Sequence, residues 1–274
     1  MRLRSLLYVP ASAPRFIAKA HERGADAIIL DLEDAVVEDQ KDAARAALAE
    51  AVPQVCRGGA GVFVRVNAGR RLAEDARAAV AAGAAGIMLP KVRRPAEIDV
   101  LAAVVGATAV EVIAIVEDAV GLLAAHEIAR HPAVAALCLG SEDFATETRA
   151  EPTAEVLRLP KLLLHYAAKA EGKRSLGLLR SVADYADLDS LAAAAAEARR
   201  FGFDGATCIH PSAVAVLNEA FSPSRDEVAR ARRIVEAAAQ AAGDGTGAFL
   251  LDGEFVDLPV VTRARMVLDQ AGDQ

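Results

Sequence analysis

Six places in this 274-residue chain set polar side chains directly after an apolar run. "AIILDLED" ends in Asp31, Glu33 and Asp34, and "VFVRVN" carries Arg65 and Asn67. "GIMLPK" ends in Pro90-Lys91, "EVIAIVED" in Glu117-Asp118, "LCLGSED" in Ser141, Glu142 and Asp143, and "TCIHP" in His210-Pro211. Carboxylates dominate, with few histidines and no clustered cysteines. Such a donor set suits a hard, oxygen-loving cation such as Mg²⁺, which takes one or two carboxylates and completes its shell with water and substrate. Glu117 and Asp143 are the candidate ligands. Arg65 would lie beside them as a planar fork for a substrate carboxylate.

Each residue also has a plainer reading. Asp34 and Asp143 suit helix N-caps. Arg65 suits a structural ion pair among the acids, and His210 a hydrogen-bonded residue of the turn. Lys91 suits either a cation balancing the acids or a Schiff-base amine.

The elements that would gather these residues alternate regularly. Short apolar segments at 5–11, 27–34, 61–67, 86–92, 111–118, 134–144, 175–182 and 205–211 read as strands. Between and after them, 13–23, 41–52, 71–82, 95–105, 121–130, 155–171, 188–200, 212–220 and 226–242 read as helices. Strands alternating with helices predict parallel βαβ units, and continuous apolar runs predict strands covered on both faces. Eight units are the number that closes a (β/α)8 TIM barrel, whose chemistry sits at the C-terminal ends of the strands. An open doubly wound sheet is the rival. The turn "VPASAPR" after the first strand lacks the GxGxxG expected of its nucleotide-binding form. The division predicted is a barrel over 1–242 and an extension over 243–274. In that extension, a Gly-rich linker at 243–247 precedes a hairpin turning at Asp252-Gly253 and a final helix.

Composition narrows the classes. At 54% hydrophobic and 25% charged residues the chain belongs with globular proteins rather than disordered ones. A net charge of −7, no Trp and 4% aromatics argue against a nucleic-acid groove or a base-stacking platform. Cys56, Cys138 and Cys208 are scattered and odd in number, which argues against a disulfide framework or a structural zinc site. With no signal peptide and no run of 18 apolar residues, a cytoplasmic protein without membrane partners is expected.

Ordered segments across nearly the whole chain carry a resemblance: "RSLLYVPASAPRFIAKA", "GADAIILDLEDAVVEDQKDAAR", "VFVRVN", "IMLPKV", "AIVEDAVGLLAAHEIA", "LGSEDF", "FGFDGATCIHPSAVAVLNEAFSPSRDEVARA" and "DGEFVDLPVVTRA". Together they resemble the citrate lyase β-subunit-like and malyl-CoA lyase-like acyl-CoA lyases of the HpcH/HpaI aldolase family. The resemblance implies a TIM barrel, Mg²⁺ and a carbon–carbon lyase acting on a 3-hydroxyacyl-CoA. Malyl-CoA or citramalyl-CoA would give acetyl-CoA plus glyoxylate or pyruvate.

It also implies roles. The metal would rest on Glu117 and Asp143, matching the ligands chosen from the strand ends. Arg65 would hold the keto-acid end, Glu33 and Asp34 would line the metal site, and Arg15 and Lys19 would meet the CoA phosphates. Asp257 in "EFVDLPV" would reach a neighbouring subunit as acid/base, implying a homotrimer or a hexamer built as a dimer of trimers. Asp257 otherwise simply ends the hairpin. Ala213, Ala206, Gly177 and Pro160 depart from the family pattern and leave the substrate open. A thioesterase hydrolysing malyl-CoA, a CoA-independent class II aldolase and a non-catalytic citrate-lyase-like subunit remain alternatives.

Overall fold

The structure is a computed structural model and describes residues 1–106, 108, 110–182, 186–243 and 246–272. It divides into two compact units, Met1–Phe221 and the residues from Ser222 onward.

The first unit is a (β/α)8 barrel. Its strands are β1 (Ser5–Pro10), β2 (Ala27–Asp31), β3 (Gly61–Arg65), β4 (Gly86–Leu89), β5 (Glu111–Val116), β6 (Val134–Leu139), β7 (Arg174–Leu176) and β8 (Ala206–Cys208). Neighbours pair in parallel around the order β7-β6-β5-β4-β3-β2-β1-β8. A bridge between Leu176 and Gly205 joins the two ends. The helices are α1 (Pro14–Ala20), α2 (Lys41–Val55), α3 (Leu72–Ala81), α4 (Pro95–Val105), α5 (Ala119–Leu123), α6 (Ala125–Arg130), α7 (Ser141–Thr148), α8 (Ala154–Ala170), α9 (Leu188–Phe201) and α10 (Ser212–Ala220).

Strand periodicity of two sorts the apolar residues into two cores. Leu7, Val9, Ile28, Leu30, Val62 and Val64 face the helices in the large outer cluster. Leu6, Ile29, Phe63, Met88, Ile115 and Cys138 fill the lumen, with Tyr8 packed against them. Continuous apolar strands are therefore needed because both faces are buried. The same parity carries the lumen row upward: Ile29 is followed by Asp31, Phe63 by Arg65, Ile115 by Glu117 and Cys138 by Gly140.

Three expectations are corrected in detail. "GSEDF" is not a strand end: the strand stops at Leu139 and Ser141–Thr148 is helix α7. Strand β7 covers only Arg174–Leu176: Gly177, at φ +148, still donates its N–H to the Gly205 carbonyl at 2.8 Å, and the strand ends there. Residues 121–130 are split between α5 and α6 at Ala124.

The second unit holds α11 (Arg225–Gly243), β9 (Phe249–Leu251), β10 (Glu254–Val256) and α12 (Leu258–Gly272). The hairpin is antiparallel, with Asp252 at φ +53 and Gly253 at φ +83 in its turn. Ala231 and Ile234 of α11 pack with Val256, Val261 and Ala264. The helix at 225–243 therefore groups with the hairpin, so the second unit starts well before residue 243. Part of the linker expected at 243–247, Asp244 and Gly245, lies outside the described residues.

Candidate functional site

The site grows from the carboxyl end of β2. Asp31 is buried and accepts the backbone N–H groups of Glu33 (2.9 Å) and Ala35 (3.2 Å), which folds "DLEDA" into a tight turn. Its other contacts come from β3: Arg65 Nε and Nη2 each donate to one Asp31 oxygen at 2.7 Å. This bidentate pair fixes the guanidinium plane. Nη1 then lies 3.0 Å from Glu33 Oε2 and 3.2 Å from Asp34 Oδ2. The Tyr8 ring stacks on Arg65, with Cζ 5.1 Å from the ring centre. Flanking acids hold the guanidinium firmly protonated despite its burial. The plainer reading of Arg65, an ion pair among the acids, is thus realised, and the Nε/Nη2 edge of its fork is occupied by Asp31.

Glu33 is buried and sits between two cations, Arg65 and Lys91, whose Nζ is 3.0 Å from Oε1. Neither contact has hydrogen-bond geometry, so both carboxylate oxygens stay buried without a hydrogen bond. Burial pushes its carboxyl up, and Arg65 and Lys91 offset that only in part. Asp34 is exposed and caps no helix.

Lys91 takes φ +58, a conformation non-glycine residues rarely adopt. This turns its N–H onto Glu117 Oε2 at 3.0 Å. Glu33 raises the Lys91 ammonium above its ordinary value. A Schiff-base nucleophile needs the opposite shift, so Lys91 serves as the balancing cation.

Glu117 ends β5 on the lumen side and is 4% exposed. Its carboxyl is pushed up to about 8, first by burial and then by the charges of Glu33 and Asp143. Gly140 makes room for it: a Cβ there would stand 2.6 Å from Glu117 Cγ and 2.9 Å from Oε1. Asp143 lies in the first turn of α7, half-buried, and makes no capping hydrogen bond. Asp118 is the residue that caps, accepting Gly121 N–H at 2.7 Å at the start of α5 while Arg93 holds its other oxygen.

This donor set fits a hard dication. Among the described residues no three His, Cys, Asp or Glu side chains form a ready cage. Mg²⁺ does not need one, since two carboxylates with water and substrate suffice. A buried carboxyl at Glu117, pushed up by burial and by the charges of Glu33 and Asp143, is what a divalent charge would relieve.

A layer beneath holds the turn. Lys41 Nζ donates to the Leu32 (3.1 Å) and Glu33 (2.8 Å) carbonyls and to Asn67 Oδ1. Asn67 donates from Nδ2 to Asp75 at 2.7 Å. Lys161, buried on α8, donates to the Arg180 carbonyl at 2.8 Å, and burial lowers its ammonium to about 8. Lys41, Asp75 and Lys161 lie on helices and do not stand out by type and spacing alone. Asp31 was visible in the acidic run, but its service to Arg65 depends on strand register.

Arg15 and Lys19 are exposed on α1, with Arg15 over the Phe16 ring at 4.5 Å. A 400 Å³ cavity beside them is lined by Tyr8, Pro10, Phe16, Arg23 and His210. Arg23, rather than Arg15 or Lys19, reaches its wall. His210 meets Ser212 Oγ at 2.7 Å through Nδ1, as a turn residue would. Asp257 belongs to the second unit, where Oδ1 accepts Val260 N–H at 3.3 Å in the first turn of α12.

Residues 4–211 match the family model described as HpcH/HpaI aldolase/citrate lyase. The chain belongs to this family. A (3S)-malyl-CoA thioesterase of Cereibacter sphaeroides is 37% identical over 276 residues, covering 98% of this chain and 94% of the relative. A citrate lyase subunit beta-like protein of Mycobacterium tuberculosis is 36% identical, covering 97% and 95%. Both alignments extend beyond residue 211 into the second unit. Among solved structures, CitE from M. tuberculosis in complex with magnesium, acetoacetate and coenzyme A superposes with a TM-score of 0.81 at 34% identity, covering 98% of this chain and 97% of that one. CitE with magnesium and pyruvate gives 0.73 at 30% identity, covering 97% and 100%.

Proposed function

We propose that this protein is a Mg²⁺-dependent acyl-CoA lyase that cleaves a 3-hydroxyacyl-CoA of the malyl or citramalyl type to acetyl-CoA plus glyoxylate or pyruvate. The observation that carries the reading is Glu117. It is a buried carboxyl raised to about 8 among other acids, at the end of β5, in a chain similar to magnesium- and CoA-bound CitE. Glu117 and Asp143 would hold Mg²⁺. When bound, the metal supplies Lewis-acid stabilisation of charge developing on oxygen.

The chain's own groups divide the rest. Arg65, locked by Asp31, presents Nη1 toward Glu33 and Asp34 and orients the oxoacid end. Glu33, buried with oxygens free of hydrogen bonds, accepts the substrate's hydroxyl proton. As that proton leaves, the C–O bond gains double-bond character and the adjacent C–C bond breaks. Its electron pair passes into the thioester as an enolate. Asp257, contributed by a neighbouring subunit, protonates the enolate carbon, giving the acetyl group. Run backward, Asp257 removes a methyl proton and the enolate adds to the oxoacid. Asp34 lines the mouth, and Arg15, Lys19 and Arg23 surround the approach for the CoA phosphates.

A homotrimer or a dimer of trimers accompanies this reading. On α8, Val156, Leu159, Leu163 and Tyr166 are exposed, beside exposed Val120 and Leu123 of α5. An apolar face of this kind is suited to subunit contact. A cytoplasmic setting agrees with the free thiols of Cys56, Cys138 and Cys208.

A second reading has its own support, because a 37% identical relative is a malyl-CoA thioesterase. In that case water attacks the thioester, and CoA leaves with the hydroxydiacid intact. Mass-spectrometric product analysis with malyl-CoA and citramalyl-CoA, with and without Mg²⁺, separates the two. Metal-dependent acetyl-CoA with glyoxylate or pyruvate supports the lyase. Free CoA with malate or citramalate selects the thioesterase. Inertness of the chain alone selects a subunit that works only with partner chains.

A further inference from the structure

Tyr8 stands on the lumen side of β1, between the apolar filling of the barrel and the charged mouth. Its side chain crosses beneath Arg65, whose Cζ is 5.1 Å from the ring centre. The hydroxyl comes to rest 3.1 Å from Met88 Sδ on β4. A thioether is a weak acceptor. The phenol O–H is therefore held by the poorest partner in a site otherwise built from charge-assisted bonds, so a carbonyl oxygen brought to it would be a better partner. Asp31, Glu117, Cys138 and Arg65 all act on this phenol electrostatically, and burial pushes its ionisation well up. It therefore stays a neutral donor. Tyr8 also forms part of the wall of the 400 Å³ cavity that Phe16, Arg23 and His210 line. It is thus the residue shared by that cavity and the Arg65 cluster.

We infer that Tyr8 is a catalytic hydrogen-bond donor: its hydroxyl leaves Met88 and binds the thioester carbonyl oxygen of the substrate where the cavity meets the charged mouth. The inference rests on reading this mouth as an acyl-thioester site. Enolate formation concentrates negative charge on that oxygen, so a donor already in place stabilises the transition state more than the bound substrate. The ring serves separately, as the surface under Arg65.

The chain has no Trp and three Tyr, so its near-ultraviolet spectrum reports on tyrosine with little interference. The experiment titrates wild type, Tyr8→Phe and Tyr166→Phe with the acetyl thioester of N-acetylcysteamine in the presence of Mg²⁺. Binding is followed by calorimetry and the tyrosine band by difference absorption. Tyr166, on the α8 face proposed above for subunit contact and away from the mouth, controls for tyrosine changes that come from assembly rather than from the thioester.

The expected result is a ligand-induced change in the tyrosine band in wild type and Tyr166→Phe, abolished in Tyr8→Phe, which still binds the probe. Turnover of Tyr8→Phe should fall about ten- to a hundredfold, mostly in kcat, as expected for one lost buried hydrogen bond. A band change that persists in Tyr8→Phe overturns the inference, as does wild type that binds the probe with no band change. Wild type that binds no thioester overturns the acyl-thioester reading itself, and the inference with it.

Discussion

Replacing Glu117 by Gln tests the electrostatics on which the metal assignment stands. The glutamine keeps an acceptor for Lys91 N–H and nearly the same shape, but it removes a charge that burial, Glu33 and Asp143 all oppose. The carboxyl is raised from its ordinary 4.5 to about 8. A raised carboxyl means that the folded protein binds more protons than the unfolded chain between those values. The resulting stability is fully present below 4.5 and is lost as pH rises through about 8. At about 1.4 kcal/mol per pH unit, the ceiling on that loss is about 5 kcal/mol. Relaxation and water entry bring the working expectation nearer to about 2 kcal/mol, or roughly 4–8 °C in Tm for a domain of this size.

The assay is thermal unfolding from about pH 5 to about pH 8, in chelator and in saturating Mg²⁺. In chelator, Glu117→Gln should melt progressively above wild type as pH rises. Mg²⁺ at about a hundred times its dissociation constant should add about 2.7 kcal/mol to wild type and little to the variant. If the two proteins track each other across pH in chelator, or if Mg²⁺ raises both melting curves equally, then Glu117 is neither a strained carboxyl nor the metal ligand.

Three further outcomes follow from the same geometry. Gly140→Ala should fold but lose most Mg²⁺ stabilisation, because the new Cβ displaces Glu117; metal-dependent melting of that variant checks it. Arg65→Lys keeps the charge but loses the bidentate hold on buried Asp31. It should cost about 1–3 kcal/mol in denaturant unfolding and lower kcat/KM by at least about a hundredfold; near-normal values for both would show that the fork is unimportant. Asp257→Ala should retain substrate binding and lose about 10²–10⁴-fold in turnover. Mixed and reassembled with inactive Glu117→Gln, it should regain part of that activity through sites that combine an intact mouth with an intact Asp257. No recovery on mixing argues that Asp257 does not serve a neighbour's site.

Much of the fold was legible because its signals are local. Eight apolar runs long enough for strands, separated by helical stretches, leave few arrangements other than a parallel barrel. Polar residues that interrupt such runs mark the strand ends where side chains meet solvent and ligand. Errors gathered where local chemistry is ambiguous. "GSEDF" follows a strand and opens a helix, so its acids read equally well as strand end or first helical turn. The stretch after Gly177 is apolar enough for a strand, but the strand ends at that glycine, which takes φ +148. Helix α11 has the pattern of a barrel helix, and only its packing with α12 and the hairpin reassigns it.

The sequence by itself determined which residues share a face of each strand, because alternation along a strand is a property of the strand alone, whereas closure of the barrel decided which face became the lumen. From Ile29 to Asp31, from Phe63 to Arg65 and from Ile115 to Glu117, two-residue steps carry the apolar core into the acidic mouth. What those side chains do to one another was decided by tertiary structure. Strand register sets Asp31 opposite Arg65 and spends one edge of the fork. Closure of the barrel lets Tyr8 cross from β1 to Met88 on β4. The left-handed turn at Lys91 aims one N–H at Glu117 and one ammonium at Glu33. Charge interactions and burial depend on distances between residues far apart in the chain, and those distances exist only once the barrel has closed.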